Sequence, residues 1–254
     1  MKITLLGTGT SQGVPVIGCN CKVCSSTDLK DKRLRSSVMI EVDNQVFVVD
    51  TGPDFRQQML RENVQNIDAI LFTHHHKDHV AGMDDIRAFN HKWKKDIQVY
   101  CNIKTENALY KEFPYIFSND NYPGVPKVNL NIFTNSTFSI NSTEIIPIKG
   151  KHHKLTVYGF RIKNFIYLTD VNFVSDIEKA KMYNADLIIL DALRIKEHIS
   201  HYSLAEAVSL IKELKPKKAL FTHISHFMGL HKDVNMSLPE NMSLAYDRQV
   251  VLLD

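Results

Sequence analysis

The sequence has no apolar run approaching the roughly 20 residues that a membrane-spanning helix needs. Its first residues, MKITLLGTGTSQG, contain a short apolar stretch that glycines interrupt. A signal peptide would carry an apolar region of about 7–15 residues, so this stretch predicts a first β-strand instead. We therefore expect a cytoplasmic protein that does not associate with a membrane.

The sequence also lacks a strong excess of charge of either sign. Its 31 Lys and Arg residues against 28 Asp and Glu leave a formal net charge of +3. The basic clusters HKWKK (91–95) and KPKK (215–218) are typical of solvated surface, whereas nucleic-acid binding needs a denser basic stripe. The composition therefore does not favour a nucleic-acid partner. It leaves the oligomeric state open, a homodimer included.

Cysteine is scarce and unevenly placed. Three of the four cysteines lie in the segment GCNCKVC as Cys19, Cys21 and Cys24, and Cys101 stands alone. Three cysteines so close in sequence cannot form a disulfide framework, and in a cytosolic chain such a cluster more often binds a metal. The alternative is a loop of free thiols. We expect Cys101 to be an ordinary buried residue.

The length and the hydrophobic content predict a single domain over residues 1–254. Hydrophobic residues make up 44% of the 254 residues, which is enough for a substantial core. Runs such as AILFT, LIIL and ALFT are apolar on both faces of a strand, so layers on both sides are expected to bury them. The pattern predicts an α/β fold in which helices sheathe two packed sheets. Strands are predicted at residues 2–6, 37–42, 46–50, 69–73, 97–100, 138–148, 157–162, 165–169, 187–190, 219–222 and 250–253.

Several predicted helices carry start signals. Pro53 suits the first turn of a helix that runs to about Glu62. The segments SDIE (175–178) and SLAE (203–206) match the capping box, in which a serine and a glutamate satisfy the first backbone N–H groups of a helix. Residues 119–126 are rich in Asn, Pro and Gly, which predicts a surface loop.

The segment FTHHHKDHVAG is crowded with side chains that bind metals. Within six residues it contains His74, His75, His76, Asp78 and His79. One metal ion takes about four protein ligands or fewer, so either some of these residues are idle or the turn serves two ions. In an extended turn His74 and His76 point the same way, and Asp78 and His79 follow a bend toward a second ion. We interpret His75 as a residue that binds no metal.

Further candidate ligands follow other apolar strands. They are His152 or His153 in KGKHHKLT, Asp170 in YLTD and His223 in FTHISH. Burying an aspartate without a partner is costly, so Asp170 is expected to contact a metal or a basic group. Because a carboxylate can bridge two cations and a histidine cannot, Asp170 is the predicted bridging ligand.

These motifs resemble those of the metallo-β-lactamase superfamily. Within it, the chain resembles the PhnP-like branch, that of the cyclic-phosphate phosphodiesterase associated with carbon–phosphorus lyase. The resemblance covers nearly the whole chain and rests on GTGTSQGVPVIGCNCKVC, VVDTG, THHHKDHVAG, HHKLT, LTD, SHYSL and THISH. It implies an αββα sandwich, which agrees with the predicted strands and helices.

The resemblance also implies three metal ions. One active-site ion would take His74, His76, His152 and Asp170, and the other would take Asp78, His79, Asp170 and His223. His152 is preferred over His153 because it matches the family's histidine before KLT. These ligands suit zinc or manganese, and iron as well. A structural zinc would take Cys19, Cys21, Cys24 and His226, so that the two histidines of THISH face different metals.

Such a centre predicts a hydrolase. Two divalent ions about 3.5–4 Å apart hold a bridging hydroxide, which attacks phosphorus or, equally, an ester, thioester or lactam carbonyl. We expect a phosphodiesterase that acts on a small cyclic phosphate of ribose or a nucleotide. The cysteine cluster favours this branch over the β-lactamase, lactonase and glyoxalase-like branches. The alternatives are an acyl hydrolase of a thioester or lactone, a tRNA 3′-processing nuclease, and a protein whose metals only stabilise the fold.

Four more roles complete the sequence-based hypothesis. Asp78 and His201 are the candidate catalytic residues. His201 precedes a predicted helix, whose N-terminus favours anions, and is expected to bind a phosphoryl oxygen or protonate the departing alkoxide. Arg87 is expected to clamp an oxyanion, with an ion pair to Asp84 or Asp85 as the alternative. Asp50 is expected to orient a ligand histidine.

Overall fold

The computed structural model of the chain describes residues 1–118 and 123–254. The strands are β1 (Lys2–Gly7), β2 (Ser37–Val42), β3 (Gln45–Val49), β4 (Ala69–Leu71), β5 (Ile97–Cys101), β6 (Val128–Ile132), β7 (Phe138–Ile140), β8 (Thr143–His152), β9 (Leu155–Ile162), β10 (Phe165–Leu168), β11 (Phe173–Val174), β12 (Leu187–Asp191), β13 (Lys218–Thr222), β14 (Met242–Leu244) and β15 (Val250–Leu252). The helices are α1 (Phe55–Arg61), α2 (Lys77–Val80), α3 (Arg87–Trp93), α4 (Ile103–Glu112), α5 (Pro114–Phe117), α6 (Asp176–Ala180), α7 (Leu204–Leu214) and α8 (His231–Asn235). Short 3-10 helices lie at Leu29–Asp31, Met83–Ile86 and His226–Met228.

The described strands form two mixed sheets. The first has the order β15-β1-β2-β3-β4-β5-β6, antiparallel from β15 to β3 and parallel from β3 to β6. The second has the order β11-β8-β9-β10-β12-β13-β14, with β7 paired to β8, and its strands from β10 to β14 are parallel. Because the carboxyl ends of parallel strands lie at one edge, the segments after β10, β12 and β13 emerge together. The segment that follows β4 lies beside these three segments. We use the term rim for the edge where all four meet.

Three clusters of buried apolar side chains divide the molecule into four layers. One cluster lies between the sheets and joins Phe47 of the first sheet to Tyr167 of the second. Another packs the outer face of the second sheet against α7 through residues such as Leu210. The third packs the outer face of the first sheet against α1 through residues such as Met59. This is the predicted αββα sandwich, so the fold class is confirmed.

The central strand β12 shows why several strands are apolar throughout. Leu187 and Ile189 point into the cluster between the sheets, whereas Ile188 and Leu190 point toward α7. A strand covered on both faces gains from apolar residues at every position. The strand then ends at Asp191, the one charged residue of its sequence LIILD.

One strand prediction is wrong. The predicted strand 138–148 is in fact two strands, β7 and β8, which pair with each other as a hairpin. Asn141 breaks the run because it adopts a φ of 50°, in the left-handed region that asparagine tolerates better than most residues. The short strands β6, β11 and β14 were not predicted, since their sequences VNLNI, FV and MSL are too short or too polar to signal a strand.

The two predicted capping boxes differ in outcome. Ser203 caps α7, and both reciprocal hydrogen bonds with Glu206 are present. The capping box at Ser175 is wrong, because that serine makes no side-chain cap hydrogen bond. Glu178 turns away and instead accepts a hydrogen bond from the backbone N–H of Lys149 and pairs with Lys181.

Two expectations concern loops and membranes. The predicted surface loop 119–126 includes residues 119–122, which lie outside the described residues. Across residues 1–118 and 123–254, no helix combines the length and the apolar character needed to cross a membrane.

Candidate active site

Three candidate site residues turn the chain sharply where a strand ends. Asp50 follows β3, Asp170 comes two residues after β10, and His223 follows β13. Their φ angles of 65°, 53° and 58° lie in the left-handed region, which costs a residue with a side chain about 1–3 kcal/mol. The strands anchored in the core hold these strained residues at the rim.

Four residues predicted to bind one ion are close together at the rim. The single-turn helix α2 carries Asp78 and His79, and the strand ends add Asp170 and His223. Nε2 of His79 lies 3.0 Å from Oδ2 of Asp170 and 3.2 Å from Oδ2 of Asp78. Nε2 of His223 lies 3.2 Å from the same oxygen of Asp170. The ligand atoms of all four residues lie within 4.8 Å of one another.

Asp50 controls the orientation of two of the histidines. Its buried Oδ2 accepts a hydrogen bond from Nδ1 of His79 at 2.7 Å. The same carboxylate accepts hydrogen bonds from the backbone N–H and the hydroxyl of Thr73. Since the Thr73 hydroxyl donates to Asp50, its oxygen is free to accept from Nδ1 of His74, 3.0 Å away. Both rings are therefore held by Nδ1 and present Nε2 to the rim.

The Nε2 atoms fit a site for divalent cations. Nε2 of His74 is buried without a hydrogen-bond partner among the described residues, and Nε2 of His79 and of His223 faces the carboxylate oxygens of Asp78 and Asp170. Burial alone would lower the pKa of His79, but the carboxylates of Asp170, Asp78 and Asp50 outweigh it and raise this pKa well above its usual value. The carboxylates of the rim thus strongly favour a positive charge beside these Nε2 atoms. Imidazole nitrogens beside carboxylate oxygens are ligands that zinc and manganese accept.

The residues predicted for the other ion are less tightly gathered. The rings of His74 and His76 lie 4.6 Å apart, and those of His76 and His152 lie 5.1 Å apart. In the described part of the chain, the group within 4.8 Å on this side consists of His152, Asp170 and His201. His74 and His76 lie next to that group, but their ligand atoms are not within 4.8 Å of all its members.

The residues alone leave His152 and His153 open as ligands, and the resemblance favours His152. Nδ1 of His152 donates a hydrogen bond to the carbonyl of Ser200 at 2.7 Å, which leaves Nε2 for the rim. His153 lies at the exposed turn between β8 and β9, where its backbone N–H donates to Asn172. His75, half-buried, belongs to none of the ligand groups found among the described residues.

His201 is buried beside the ligands and is held by Asp191, which the sequence analysis did not assign. Nδ1 of His201 lies 3.3 Å from Oδ2 of Asp191. The same oxygen accepts hydrogen bonds from the backbone N–H groups of Tyr202 and Val171. The other oxygen, Oδ1, lies 3.5 Å from Nδ1 of His223. Asp191 therefore contacts both a candidate catalytic histidine and a candidate metal ligand.

The surroundings of His201 favour its charged form. Burial alone would lower the pKa of His201, but Asp191 and then Asp170 raise it to about 9. The signal for Asp191 was available in the sequence, because LIILD ends an apolar strand with an aspartate just as FIYLTD does. Applying the same argument to both strand ends would have identified it.

Arg87 makes the ion pair that was the alternative to an oxyanion clamp. Its guanidinium lies 2.9 Å from the carboxylate of Asp84, and 51% of the Arg87 side chain is exposed. The 3-10 helix Met83–Ile86 precedes α3 and places Arg87 three residues after Asp84, one helical turn away. The structure thus pairs Arg87 with its neighbour.

The three clustered cysteines lie around His226. Nδ1 of His226 lies 3.3 Å from Sγ of Cys19 and 3.5 Å from Sγ of both Cys21 and Cys24. A hydrogen bond from the backbone N–H of Cys24 lowers the pKa of Cys21 to about 6, despite the opposing effect of burial. Three sulfur atoms and one imidazole nitrogen match the donor set of a tetrahedral zinc site. Cys101 is buried elsewhere, and burial raises its pKa to about 12.

The N-terminal segment that leads into the cysteine loop is connected to the rim through Ile224. The backbone N–H of Ile224 donates to the carbonyl of Thr8, and the N–H of Thr10 donates to the carbonyl of Ile224. Ile224 directly follows His223 and precedes His226 by two residues. The N-terminal loop and the segment that carries both histidines are therefore held together on either side of Ile224.

Comparisons with known proteins agree with this arrangement. A family model described as "Beta-lactamase superfamily domain" matches residues 45–224. The crystal structure of a diphosphatase from the PhnP family is 38% identical, has a TM-score of 0.93, and is matched over 100% of this chain and 98% of the other. Zinc-bound PqqB from Methylobacterium extorquens has a TM-score of 0.81 over 100% of both chains, and at 17% identity it shows the fold alone.

A longer relative is also similar. An octanoyltransferase of Porphyromonas gingivalis is 33% identical over 257 residues, which cover 100% of this chain and 52% of the relative. The chain therefore spans about half the length of that relative.

Proposed function

Because this chain belongs to the beta-lactamase superfamily, we propose that it is a metal-dependent phosphodiesterase that acts on a small cyclic phosphate of ribose or a nucleotide. The fold indicates a metal-dependent hydrolase, but it hosts several hydrolytic activities and does not select phosphorus by itself. The observation that carries the proposal is the buried pair of His201 and Asp191 beside the candidate metal ligands. The 38% identical diphosphatase also supports a reaction at phosphorus.

The proposal includes two divalent ions, zinc or manganese, at the rim. Asp78, His79, Asp170 and His223 would hold one ion, and His74, His76 and His152 would hold the other together with Asp170. Such ions, when bound, activate water at neutral pH and neutralise charge on phosphoryl oxygens. Asp50 keeps the rings of His79 and His74 in the orientation that this binding needs.

His201 has two functions in this proposal. With Nδ1 occupied by Asp191, Nε2 is the atom that donates a hydrogen bond to a phosphoryl oxygen. The Asp191 carboxylate raises the pKa of His201 and so favours a proton on Nε2. When the P–O bond of a cyclic phosphate breaks, that proton passes to the departing alkoxide, which becomes the free hydroxyl of a phosphomonoester. Asp191 stabilises the imidazolium until the transfer occurs.

We propose that Cys19, Cys21, Cys24 and His226 hold a structural zinc ion. The four ligand atoms lie within 4.8 Å of one another, and the cysteines are free thiols. Such an ion would fix the N-terminal loop to the segment that carries His223. Its role would be to support the position of that ligand rather than to take part in hydrolysis.

The test is turnover by protein reconstituted with manganese or zinc. The substrates are bis(p-nitrophenyl) phosphate, a 2′,3′-cyclic nucleotide, a thioester and a lactone. We expect hydrolysis of the two phosphodiesters and its loss in Asp78→Ala and His201→Ala. His153→Ala is the matched control, because it removes an exposed histidine next to His152 and is expected to leave turnover unchanged.

Other outcomes would change the assignment. Cleavage of the thioester or lactone alone would make the protein an acyl hydrolase, the alternative that the similarity to an octanoyltransferase favours. Full phosphodiesterase activity in His201→Ala would remove His201 from the reaction. Full activity in Asp78→Ala would show that turnover does not need the ion that Asp78 is proposed to hold.

A further inference from the structure

His198 is an additional imidazole at the rim, and the proposed reaction gives it no role. Its ring centroid lies 5.2 Å from that of His201, with the two ring planes 44° apart. The side chain is half-buried, so one part packs on the protein and another part faces solvent. Its segment borders the candidate ligands, because the carbonyl of Ser200 binds His152.

Hydrogen bonds determine which nitrogen of His198 carries a proton. The backbone N–H of Ser200 donates to Nδ1 of His198 at 3.4 Å, and the Ser200 hydroxyl oxygen lies 3.2 Å from the same atom. Nδ1 is therefore an acceptor, and the ring proton lies on Nε2. Among residues 1–118 and 123–254, no protein group hydrogen-bonds to Nε2 of His198. The ring thus presents a free N–H donor beside His201.

The segment that carries His198 is held in place before any ligand binds. The guanidinium of Arg194 donates hydrogen bonds to the carbonyls of residues 196 and 197. The side-chain amide of Asn172 donates to the carbonyl of residue 199, and His152 donates to that of residue 200. The side chains of Arg194, Asn172 and His152 thus bind four backbone carbonyls on either side of His198. A donor fixed in this way loses little conformational entropy when it binds a ligand.

We infer that His198 binds substrate, with its Nε2–H donating a hydrogen bond to an anionic oxygen of the phosphoryl group that His201 contacts. The assignment rests on the proposed function in one respect, namely that the ligand is a phosphoryl anion. A phosphoryl group offers several charged oxygens, so two donors from one segment can bind it at once.

Two substitutions separate the contributions of the two ring nitrogens. In His198→Asn, the amide oxygen can still accept from the N–H of Ser200, but the donor at the position of Nε2 is lost. In His198→Gln, the amide nitrogen can reach the position of Nε2, but the contact with Ser200 is weakened. His153→Asn is the matched control, because it changes an exposed histidine on the neighbouring hairpin.

The probe is inorganic phosphate, and its affinity for the zinc-loaded protein is measured by calorimetry. We expect the dissociation constant to rise about tenfold in His198→Asn, as the loss of one hydrogen bond to an anion implies. It should stay near the wild-type value in His198→Gln and in His153→Asn. Thermal unfolding of the three variants shows whether each remains folded.

The other results also bear on the assignment. Weaker binding in His198→Gln with normal binding in His198→Asn would show that His198 only supports Ser200, and would overturn the inference. Equal affinity in all variants, or no phosphate binding by the wild type, would overturn it as well. Phosphate binding that depends on His198, in a protein that hydrolyses no phosphodiester, would refute the proposed function and leave the His198 assignment standing.

Discussion

Acid is expected to destabilise this protein through His231, a buried histidine that begins α8. A guanidinium nitrogen of Arg33 lies 3.2 Å from Nδ1 of His231, and the amide nitrogen of Asn235 lies 2.8 Å from Nε2. The orientation of that amide is fixed, because its oxygen accepts a hydrogen bond from the N–H of Leu244 at 2.7 Å. Both neighbours of the ring are donors. A neutral ring can accept from one of them, and a protonated ring can accept from neither.

The size of the effect follows from the pKa. Burial, followed by the charge of Arg33, lowers the pKa of His231 from 6.5 to about 4. The unfolded chain regains the ordinary value, so between about pH 6.5 and 4 it binds more protons than the folded chain. The stability that neutral His231 provides is fully present above this window and is lost as the pH falls through it. The full loss is about 3.4 kcal/mol, at 1.36 kcal/mol for each pKa unit.

The assay is urea unfolding of the wild type and His231→Gln at pH 7.5 and pH 4.5. Glutamine keeps an acceptor at the position of Nε2, where the side-chain amide of Asn235 donates, but does not titrate. Between these pH values, the unfolding free energy of the wild type should fall by about 2.5 kcal/mol more than that of the variant. Titration of the other histidines cancels in this comparison, since both proteins contain them. The same pH dependence in both proteins would refute the reasoning.

Three more substitutions test the site. Asp50→Asn replaces one of the two acceptor oxygens that hold Thr73 and His79 with an NH2 donor, and should weaken metal binding at the rim by about 10–100-fold in a chelator competition; unchanged affinity would contradict this. Cys24→Ser should lower the zinc content and the melting temperature, whereas Cys101→Ser should keep the zinc. In Gly52→Ala the new Cβ would collide with the backbone carbonyl of Asp78. We expect α2 to shift and turnover to fall, and wild-type activity in this variant would show that the turn can adapt.

The candidate ligands could be recognised from the sequence because few residue types bind metals and their local spacing is distinctive. FTHHHKDHVAG places its ligands on one turn, and the segments ending at Asp170 and His223 follow strongly apolar strands. Residues that act through another residue leave a weaker trace. Asp191 is a single aspartate at a strand end, and its role depends on His201 reaching it in space.

His198 was missed for a related reason. In EHISHYSL it stands three residues before His201, and an isolated histidine in a polar loop is ordinarily a surface residue. Its importance comes from the hydrogen bonds that hold its segment, and these join residues distant in sequence, such as Asn172 and Ile199. Arg87 illustrates the opposite case, because its sequence neighbour Asp84 provides a partner one helical turn away.

The sequence by itself determined the layered α/β fold, most of the strands and the residue types available for metal binding. These features depend on local patterns: apolar runs, capping residues and clusters of histidine, aspartate and cysteine. The resemblance already prefers His152 over His153, and the sequence-based hypothesis already has Asp50 orient one ligand histidine. Only the tertiary structure decided that Asp191 holds His201 and that Asp50 acts on His74, through Thr73, as well as on His79. Each of these choices depends on hydrogen bonds between segments that meet only in the folded chain, where burial leaves each polar atom few partners.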